Sequence, residues 1–288
     1  MSVPTVGAAV VEAEATLAAA GVETPRVDAE WLLAGILDVG RAALAVNARR
    51  PLVAVTAARY ADAVRRRARR EPLQRILGWE DFRGLRFRLK RDVLVPRPET
   101  ERLVEWSLGF LPAPSGGRSP RVVDVGTGSG CIACALAHAR PDLEVIAMDV
   151  SPAAGAMAAE NADALGLERR VRVVVGDLAT ALRGTLADLV VANLPYLPDA
   201  WLAGLTPEVR AHDPRLALAG GADGLDLVRR RVADARRVLR PGAALVLETA
   251  GGDQTDTAAQ ALTGAGLVDV VTRAYLAGIT RFVAGRRP

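Results

Sequence analysis

Lysine, cysteine, histidine and aromatic side chains are all scarce in this 288-residue chain. Aromatics make up 4%, there are two cysteines and two histidines, and Lys90 is the single lysine among 37 basic residues. Two cysteines cannot build a disulfide framework for a chain of this size, which points to a reducing compartment, and a cytoplasmic location is expected. No apolar run approaches the ~20 residues that a membrane span requires. Met1 to Ala20 carries Glu12 and Glu14 and no basic residue, unlike the charged start of a secretory signal. Metal chemistry has little to work with. Cys131, Cys134 and His138 share helical spacings of three and four, yet zinc wants a fourth ligand and the other histidine is the distant His212. Small thiols packed in a core are expected there, and no metal.

What is abundant is aliphatic. Hydrophobic residues reach 50% and charged residues 24%, the profile of a soluble globular protein, which excludes disordered and fibrous classes. The length fits about two domains, or one large domain with a smaller appendage. The net charge of +4 is too small to imply a nucleic-acid partner. Its distribution is uneven: Arg65 to Arg102 holds 13 basic and 6 acidic residues, and the remainder is net acidic. Arg65-Arg66-Arg67-Ala68-Arg69-Arg70 reads either as a solvated helix face or as a contact surface for an acidic partner or nucleic acid.

Up to about Arg70 the apolar spacing is helical, with Val10, Leu17 and Ala18 in one helix and Val27, Trp31, Leu32, Ile36 and Leu37 in the next. Thr24 is placed as an N-cap before Pro25, and Gly40 past the helix end. Trp79 to Leu89 reads as a β-hairpin about Arg83-Gly84. Pro112 to Pro120 reads as a loop. From Arg121 the pattern becomes short aliphatic runs alternating with helices: Val122 to Val125, Val145 to Met148, Val171 to Val175, Leu189 to Ala192 and Ala244 to Leu247, then Val268 to Val271 and Ile279 to Val283. Such runs suit strands buried on both faces of a parallel sheet. The class is α/β, with a doubly wound sheet whose ligand lies at the carboxyl ends of the strands.

At the first of those ends, Asp124-Val125-Gly126-Thr127-Gly128-Ser129-Gly130 runs from strand through glycines into a helix beginning at Cys131. Glycines let backbone approach a ligand, and the helix start supplies free N–H groups. The third glycine comes one position too early for the G-x-G-x-x-G dinucleotide motif, which disfavours NAD. Asp149, nineteen residues after Gly130, ends the second strand, where a carboxylate can accept ribose hydroxyls. Asp177 follows the third strand beside an expected adenine position. A tight structural turn is the plainer reading of the glycines alone; with Asp149 and Asp177 in step, the segment reads as a nucleoside site.

The fourth strand ends in Asn193-Leu194-Pro195-Tyr196. An amide nitrogen is a poor nucleophile because its lone pair is delocalised, so a catalyst must orient it. The Asn193 side-chain oxygen and the Leu194 carbonyl can accept both hydrogens of an amide NH2 group, and Pro195 restricts Leu194 to extended backbone. Tyr196 can stack on the planar group. An ordinary Asn-Pro turn is the plainer alternative.

Asp124 to Gly130 with Asn193 to Tyr196 resembles the S-adenosylmethionine-dependent amino methyltransferases, whose acceptor motif is usually (Asn/Asp)-Pro-Pro-(Tyr/Phe/Trp). Glu71-Pro72-Leu73-Gln74-Arg75-Ile76-Leu77-Gly78, Leu94-Val95-Pro96-Arg97-Pro98-Glu99-Thr100-Glu101, Val209-Arg210-Ala211-His212-Asp213-Pro214 and Gly221-Ala222-Asp223-Gly224-Leu225 narrow it. The chain then resembles the PrmC/HemK family, the protein-(glutamine-N5) methyltransferases of peptide chain release factors, over nearly its whole length. The resemblance implies a seven-stranded, Rossmann-like methyltransferase domain at 96–288, a helical substrate-docking domain at 1–72 and a hairpin connector at 73–95. It implies S-adenosylmethionine as methyl donor, bound by Asp124, Gly126, Thr127, Gly128, Ser129, Gly130 and Asp149. Asp177 and Leu178 fall near the adenine, and Arg97, Thr100 and Asn193 near the methionine end. It implies that Asn193, Leu194, Pro195 and Tyr196 hold the glutamine of a release factor's Gly-Gly-Gln loop. A monomer without membrane partner is expected.

Two departures stand out: Leu194 replaces the family's proline, and Glu248-Thr249-Ala250 replaces a Glu-(Ile/His)-Gly strand ending. His212 is expected to shape the acceptor side rather than to act as base. Three alternatives stay open. Asn-Leu-Pro-Tyr also resembles ribosomal RNA adenine dimethyltransferases, which are expected to carry their helical domain after the sheet and not before it. The acceptor could be a glutamine of another protein. The chain could also be a non-catalytic binding module.

Overall fold

The computed structural model describes residues 4–113, 117–177, 182, 184 and 186–288. They form two compact units, one of Met1–Trp79 with Thr206–His212, the other of Glu80–Leu205 with Asp213–Pro288.

The first unit contains α1 (Val6–Ala19), α2 (Pro25–Leu37), α3 (Arg41–Val46), α4 (Ala54–Ala68), α5 (Leu73–Leu77) and, from far along the chain, α9 (Pro207–His212). Its core is Val10, Leu17, Leu32, Leu33, Tyr60 and Val64 with small alanines between. Each fully buried leucine contributes roughly 1.5–3 kcal/mol. Ala18 and Val27, both part of the predicted stripe, are instead exposed, because the buried rows follow Val10, Ala13 and Leu17 in α1 and Ala29, Leu32 and Leu33 in α2. Thr24 occupies the N-cap position, but its hydroxyl donates to Asp28 (2.8 Å) and caps no backbone N–H. α2 ends at left-handed Asp38 (φ 54°), and Gly40 instead leads into α3. Leu73, Ile76 and Leu77 pack on the helical core, and Trp79 meets Trp31 edge-on at 6.1 Å. The helical unit thus runs past residue 72, where the sequence reading ends it.

Much of the arginine run is ion-paired within the unit. Arg67 is buried and donates to Asp28 (2.7 Å) and Glu208 (2.8 Å), Arg70 clasps both Glu208 oxygens (2.6 and 2.8 Å), and Arg66 pairs with Glu71. These bonds hold α9 to the helices. Arg66, Arg67 and Arg70 are therefore not a row of free solvated charges.

The second unit opens at Glu80, within the hairpin of β1 (Trp79–Phe82) and β2 (Leu85–Arg88). Arg83 (φ 49°) and Gly84 (φ 76°) both adopt the positive φ of a tight primed turn, and Phe82 and Phe87 bury edge-to-face behind it. There follow α6 (Pro98–Leu108), β3 (Arg121–Val125), α7 (Cys131–Ala139), β4 (Glu144–Asp149), α8 (Pro152–Ala164), β5 (Val171–Val175), β6 (Ala187–Ala192), α10 (Asp226–Val238), β7 (Leu239–Glu248), α11 (Asp253–Gly264), β8 (Val268–Ala274) and β9 (Thr280–Arg286). The seven-stranded sheet has the order β5-β4-β3-β6-β7-β9-β8; β9 pairs antiparallel with both neighbours and the other pairings are parallel. β3 and β6 are buried almost throughout, as their aliphatic runs imply. β5, at the edge, is not: Val175 is half exposed. Residues 114–116 of the predicted loop, and Leu178, lie outside the described residues.

Strand order reverses between β3 and β6. An open α/β sheet leaves its crevice at such a point.

Candidate active site

Register brings the functional segments together. Val125 of β3 pairs with Ala192 of β6 and with Met148 of β4, Asp149 pairs with Val175 of β5, and Ala192 pairs with Leu247 of β7. The next residues along are Gly126, Asn193, Gly176 and Glu248. The loops after β3, β4, β5 and β6 thus leave the sheet side by side around a cavity of about 570 Å3, within the roughly 300–1,000 Å3 range of small-molecule sites. Its wall includes Gly126, Gly128, Asp149, Asp177, Asn193, Leu194 and Pro195.

The glycine turn is fixed from behind. Asp124 is fully buried, and its Oδ2 accepts from the Thr127 hydroxyl (2.6 Å) and the Ala133 N–H (3.2 Å). Burial pushes its carboxyl up to about 7, against the pull of those two bonds. Gly126 has φ 73°, and a Cβ there would sit 3.2 Å from Leu194 Cδ2. Gly130 (φ 81°) leaves room only for Ala158 of α8. Asp149 is held by two backbone donors, Gly128 N–H to Oδ2 and Ser151 N–H to Oδ1, both at 2.9 Å. Each oxygen keeps a second lone pair for a ligand hydroxyl. Asp177 is paired with Arg230 (2.9 Å) on the same wall.

On the acceptor side a chain of hydrogen bonds reaches into the core. Asn193 Nδ2 donates to Thr100 Oγ1 (2.9 Å), Thr100 donates to Glu248 Oε2 (3.0 Å), and the Tyr196 hydroxyl donates to Glu248 Oε1 (3.1 Å). Glu248 is buried, and burial pushes its carboxyl up to about 7 while the two hydroxyls draw it back. Burial, with Glu248 alongside, holds the Tyr196 phenol far above its ordinary range, so it serves as a donor. Among the described residues, neither Asn193 Oδ1 nor the Leu194 carbonyl accepts a hydrogen bond. The Leu194 side chain does not obstruct the site. It is 5% exposed and packs in the core with Val125, Met148 and Val190. The backbone of the motif is clamped: a Cβ on Gly220 would come 2.7 Å from the Pro195 carbonyl oxygen, one on Gly224 would collide with the Tyr196 carbonyl, and Gln254 donates to that carbonyl (2.8 Å).

Of the sequence-predicted residues, Asp124, Thr127, Ser129, Gly130, Thr100 and Tyr196 stand behind the cavity wall rather than on it. The Tyr196 hydroxyl is committed to Glu248. Arg97 pairs with buried Asp213 (2.7 Å) and is likewise off the wall. Cys131 and Cys134 are core residues, burial raising both thiols to about 12, whereas His138, in the last turn of α7, is exposed. His212 belongs to α9 in the helical unit. Sequence reasoning missed Val93, Leu94 and Leu216 on the wall and the role of Glu248. Only Glu248 carried a signal, as a carboxylate ending an otherwise apolar strand.

Two family models match the chain: the PrmC N-terminal domain over residues 8–78 and the methyltransferase small domain over 108–201. A release factor glutamine methyltransferase of Geobacter sulfurreducens is 43% identical over 94% of this chain and 92% of its own length. That of Bradyrhizobium diazoefficiens is 42% identical over 100% and 98%. The chain belongs to the release factor glutamine methyltransferase family. Among solved structures, the catalytic domain of hMettl16 in complex with MAT2A 3'UTR hairpin 1 superposes with a TM-score of 0.57 at 18% identity, covering 84% of this chain and 85% of that one. Human methyltransferase 10 domain containing protein gives 0.55 at 20%, covering 80% and 98%. Both share the methyltransferase fold.

The family's methyl donor is S-adenosylmethionine, and the residues present fit it. The positive-φ glycines bare backbone on the cavity wall, Asp149 offers two oriented lone pairs beside them, and Val93, Leu94 and Met148 supply apolar wall. The donor supplies an electrophilic methyl group on a cationic sulfur.

Proposed function

We propose that this chain methylates the side-chain nitrogen of the glutamine in the Gly-Gly-Gln loop of peptide chain release factors. The observation that carries the reading is the pair of unengaged acceptors, Asn193 Oδ1 and the Leu194 carbonyl, on consecutive residues at the mouth of the donor cavity. An NH2 group has two hydrogens in one plane, and two convergent acceptors fix that plane. With its plane fixed, the nitrogen is aimed at the methyl carbon, and the reaction becomes effectively unimolecular. The N–C bond forms as the C–S bond breaks, the bonding pair leaving with sulfur. Nitrogen becomes cationic and then strongly acidic, so its proton departs to solvent and no base is needed before attack.

Asp149 orients the donor's ribose, and Asp177 borders its adenine. Asp124 and Thr127 keep the glycine turn in shape. The helical unit of residues 1–72 with its flanking α5 serves as the docking element for the release factor, the hairpin acts as connector, and 96–288 is the catalytic domain. No helix among the described residues is long and apolar enough to cross a membrane, in keeping with an encounter in the cytoplasm.

The test is transfer of labelled methyl to purified release factor, to the same factor with Ala in place of the Gly-Gly-Gln glutamine, and to ribosomal RNA. Label on the unsubstituted factor alone supports the reading. Label on the substituted factor, or on RNA only, refutes it.

A further inference from the structure

The acceptor reading requires Asn193 to show oxygen, not nitrogen, to the cleft. An asparagine amide can be turned over with almost no change in shape, so something must decide between the two faces. That decision is made one shell inward, by Thr100. A hydroxyl has a single hydrogen. Thr100 is 2% exposed in the first turns of α6, and it spends that hydrogen on Glu248 Oε2 at 3.0 Å. Its lone pairs then face Asn193, and only the NH2 end of the amide can meet them, at 2.9 Å. The other carboxylate oxygen of Glu248 is occupied by the Tyr196 hydroxyl at 3.1 Å. Glu248 therefore acts as an acceptor on both sides, and its place is set by the β6–β7 register, which pairs Ala192 with Leu247.

We propose that Thr100, anchored on Glu248, is a specificity-determining positioning residue that locks Asn193 with its oxygen outward and so makes the site accept a carboxamide and reject a carboxylate. The inference rests on the glutamine reading above and goes beyond it to the discrimination between glutamine and glutamate. A glutamine NH2 meets two acceptors and is satisfied. A glutamate in the same place, whether encoded or produced by deamidation, brings oxygen lone pairs against the oxygens of Asn193 and Leu194, with no donor to offset its desolvation. With Asn193 turned over, its NH2 would donate to that carboxylate instead. A site built on hydrogen bonds to a substrate N–H rejects the analogue lacking it far more strongly than an apolar pocket can.

The experiment compares the full-length wild type with Thr100→Val and Thr100→Ser. Valine keeps the shape and deletes the hydroxyl; serine restores it. Each protein is assayed for methyl transfer to release factor and for inhibition by release factor carrying Glu in place of the Gly-Gly-Gln glutamine. Donor affinity by calorimetry and the thermal midpoint establish that each variant is folded, and Thr100→Ala replaces valine if the midpoint collapses. The expected result is a roughly 10- to 100-fold fall in kcat for Thr100→Val, tighter inhibition by the glutamate form, little change in donor affinity, and recovery of both acceptor properties in Thr100→Ser. Thr100→Val with wild-type turnover overturns the proposal. So does lost turnover with unchanged glutamate inhibition, which would mark a merely structural residue. A wild type that transfers nothing to glutamine refutes the underlying reading itself, and is told apart because it appears before any substitution is made.

Discussion

Replacing Asn193 by alanine removes one of the two acceptors for the substrate amide while leaving the donor side of the cavity intact. In the proposed reading Asn193 offers Oδ1 to the substrate, while its Nδ2 makes a 2.9 Å bond to Thr100. Losing the inner bond costs about 1 kcal/mol of stability, too little to unfold a unit with two extensive core clusters. On the substrate side, one amide N–H is left without its acceptor, at roughly 1–3 kcal/mol. The nitrogen is also free to swing out of line, and removing one orienting group at a reacting centre is on the order of 100- to 1,000-fold in kcat. We expect a fall of at least about 100-fold in labelled methyl transfer, with KM for the release factor raised less, because docking draws on the rest of the protein surface. Donor affinity by calorimetry should stay close to wild type, since Gly126, Gly128 and Asp149 sit on the ends of β3 and β4 rather than β6. Turnover near the wild-type value would refute the role given to the amide.

Further outcomes follow from the same geometry. Gly126→Ala places a Cβ at φ 73° and 3.2 Å from Leu194 Cδ2, costing roughly 1–2 kcal/mol of backbone strain; donor binding should weaken about 10-fold in calorimetry, and unchanged binding would contradict the cradle. Glu248 has its carboxyl raised to about 7 from an ordinary 4.5, so its contribution is full below about 4.5 and is lost as pH rises through 7. Glu248→Gln should therefore gain stability relative to wild type above pH 7, by roughly 3 kcal/mol at most, read as a pH series of denaturant midpoints; a flat difference across pH would contradict the raised value. Glu208 shows the opposite sign. Burial raises its carboxyl, but the bonds from Arg70 and Arg67 outweigh that and hold it at about 2. Its contribution is present above about 4.5 and is lost as pH falls toward 2. Glu208→Gln should raise hydrogen exchange in α9 at neutral pH, and unaltered exchange would show that the ion pairs do not secure that helix.

The parts of this architecture that were legible beforehand are those where chemistry is local in the chain. Val122 to Val125, apart from Asp124, and Leu189 to Ala192 announce buried parallel strands because their side chains are aliphatic in succession, and Gly126-Thr127-Gly128 announces a turn because glycine tolerates the positive φ it needs at Gly126 and Gly128. The four residues from Asn193 to Tyr196 display two acceptors in one short stretch. What stayed hidden depends on register and long-range pairing. Glu248 reaches Tyr196 only because β7 lies beside β6. Thr100, carried by α6, arrives from 93 residues before Asn193, so no spacing rule connects the two. The arginine run was ambiguous for the same reason. Its partners, Asp28 and Glu208, lie 39 and 141 residues from Arg67, and without them a cluster of positive charge resembles a binding face. The bond from the Tyr196 hydroxyl to a buried carboxylate was hidden in the same way, because Glu248 lies 52 residues further on.

The most direct measurement is a crystal structure of this chain with S-adenosylhomocysteine and a peptide containing Gly-Gly-Gln. The glutamine nitrogen should lie within hydrogen-bonding distance of both Asn193 Oδ1 and the Leu194 carbonyl oxygen, with Asn193 Nδ2 still on Thr100. A glutamine held elsewhere, or an Asn193 that turns its nitrogen to the peptide, would contradict the account.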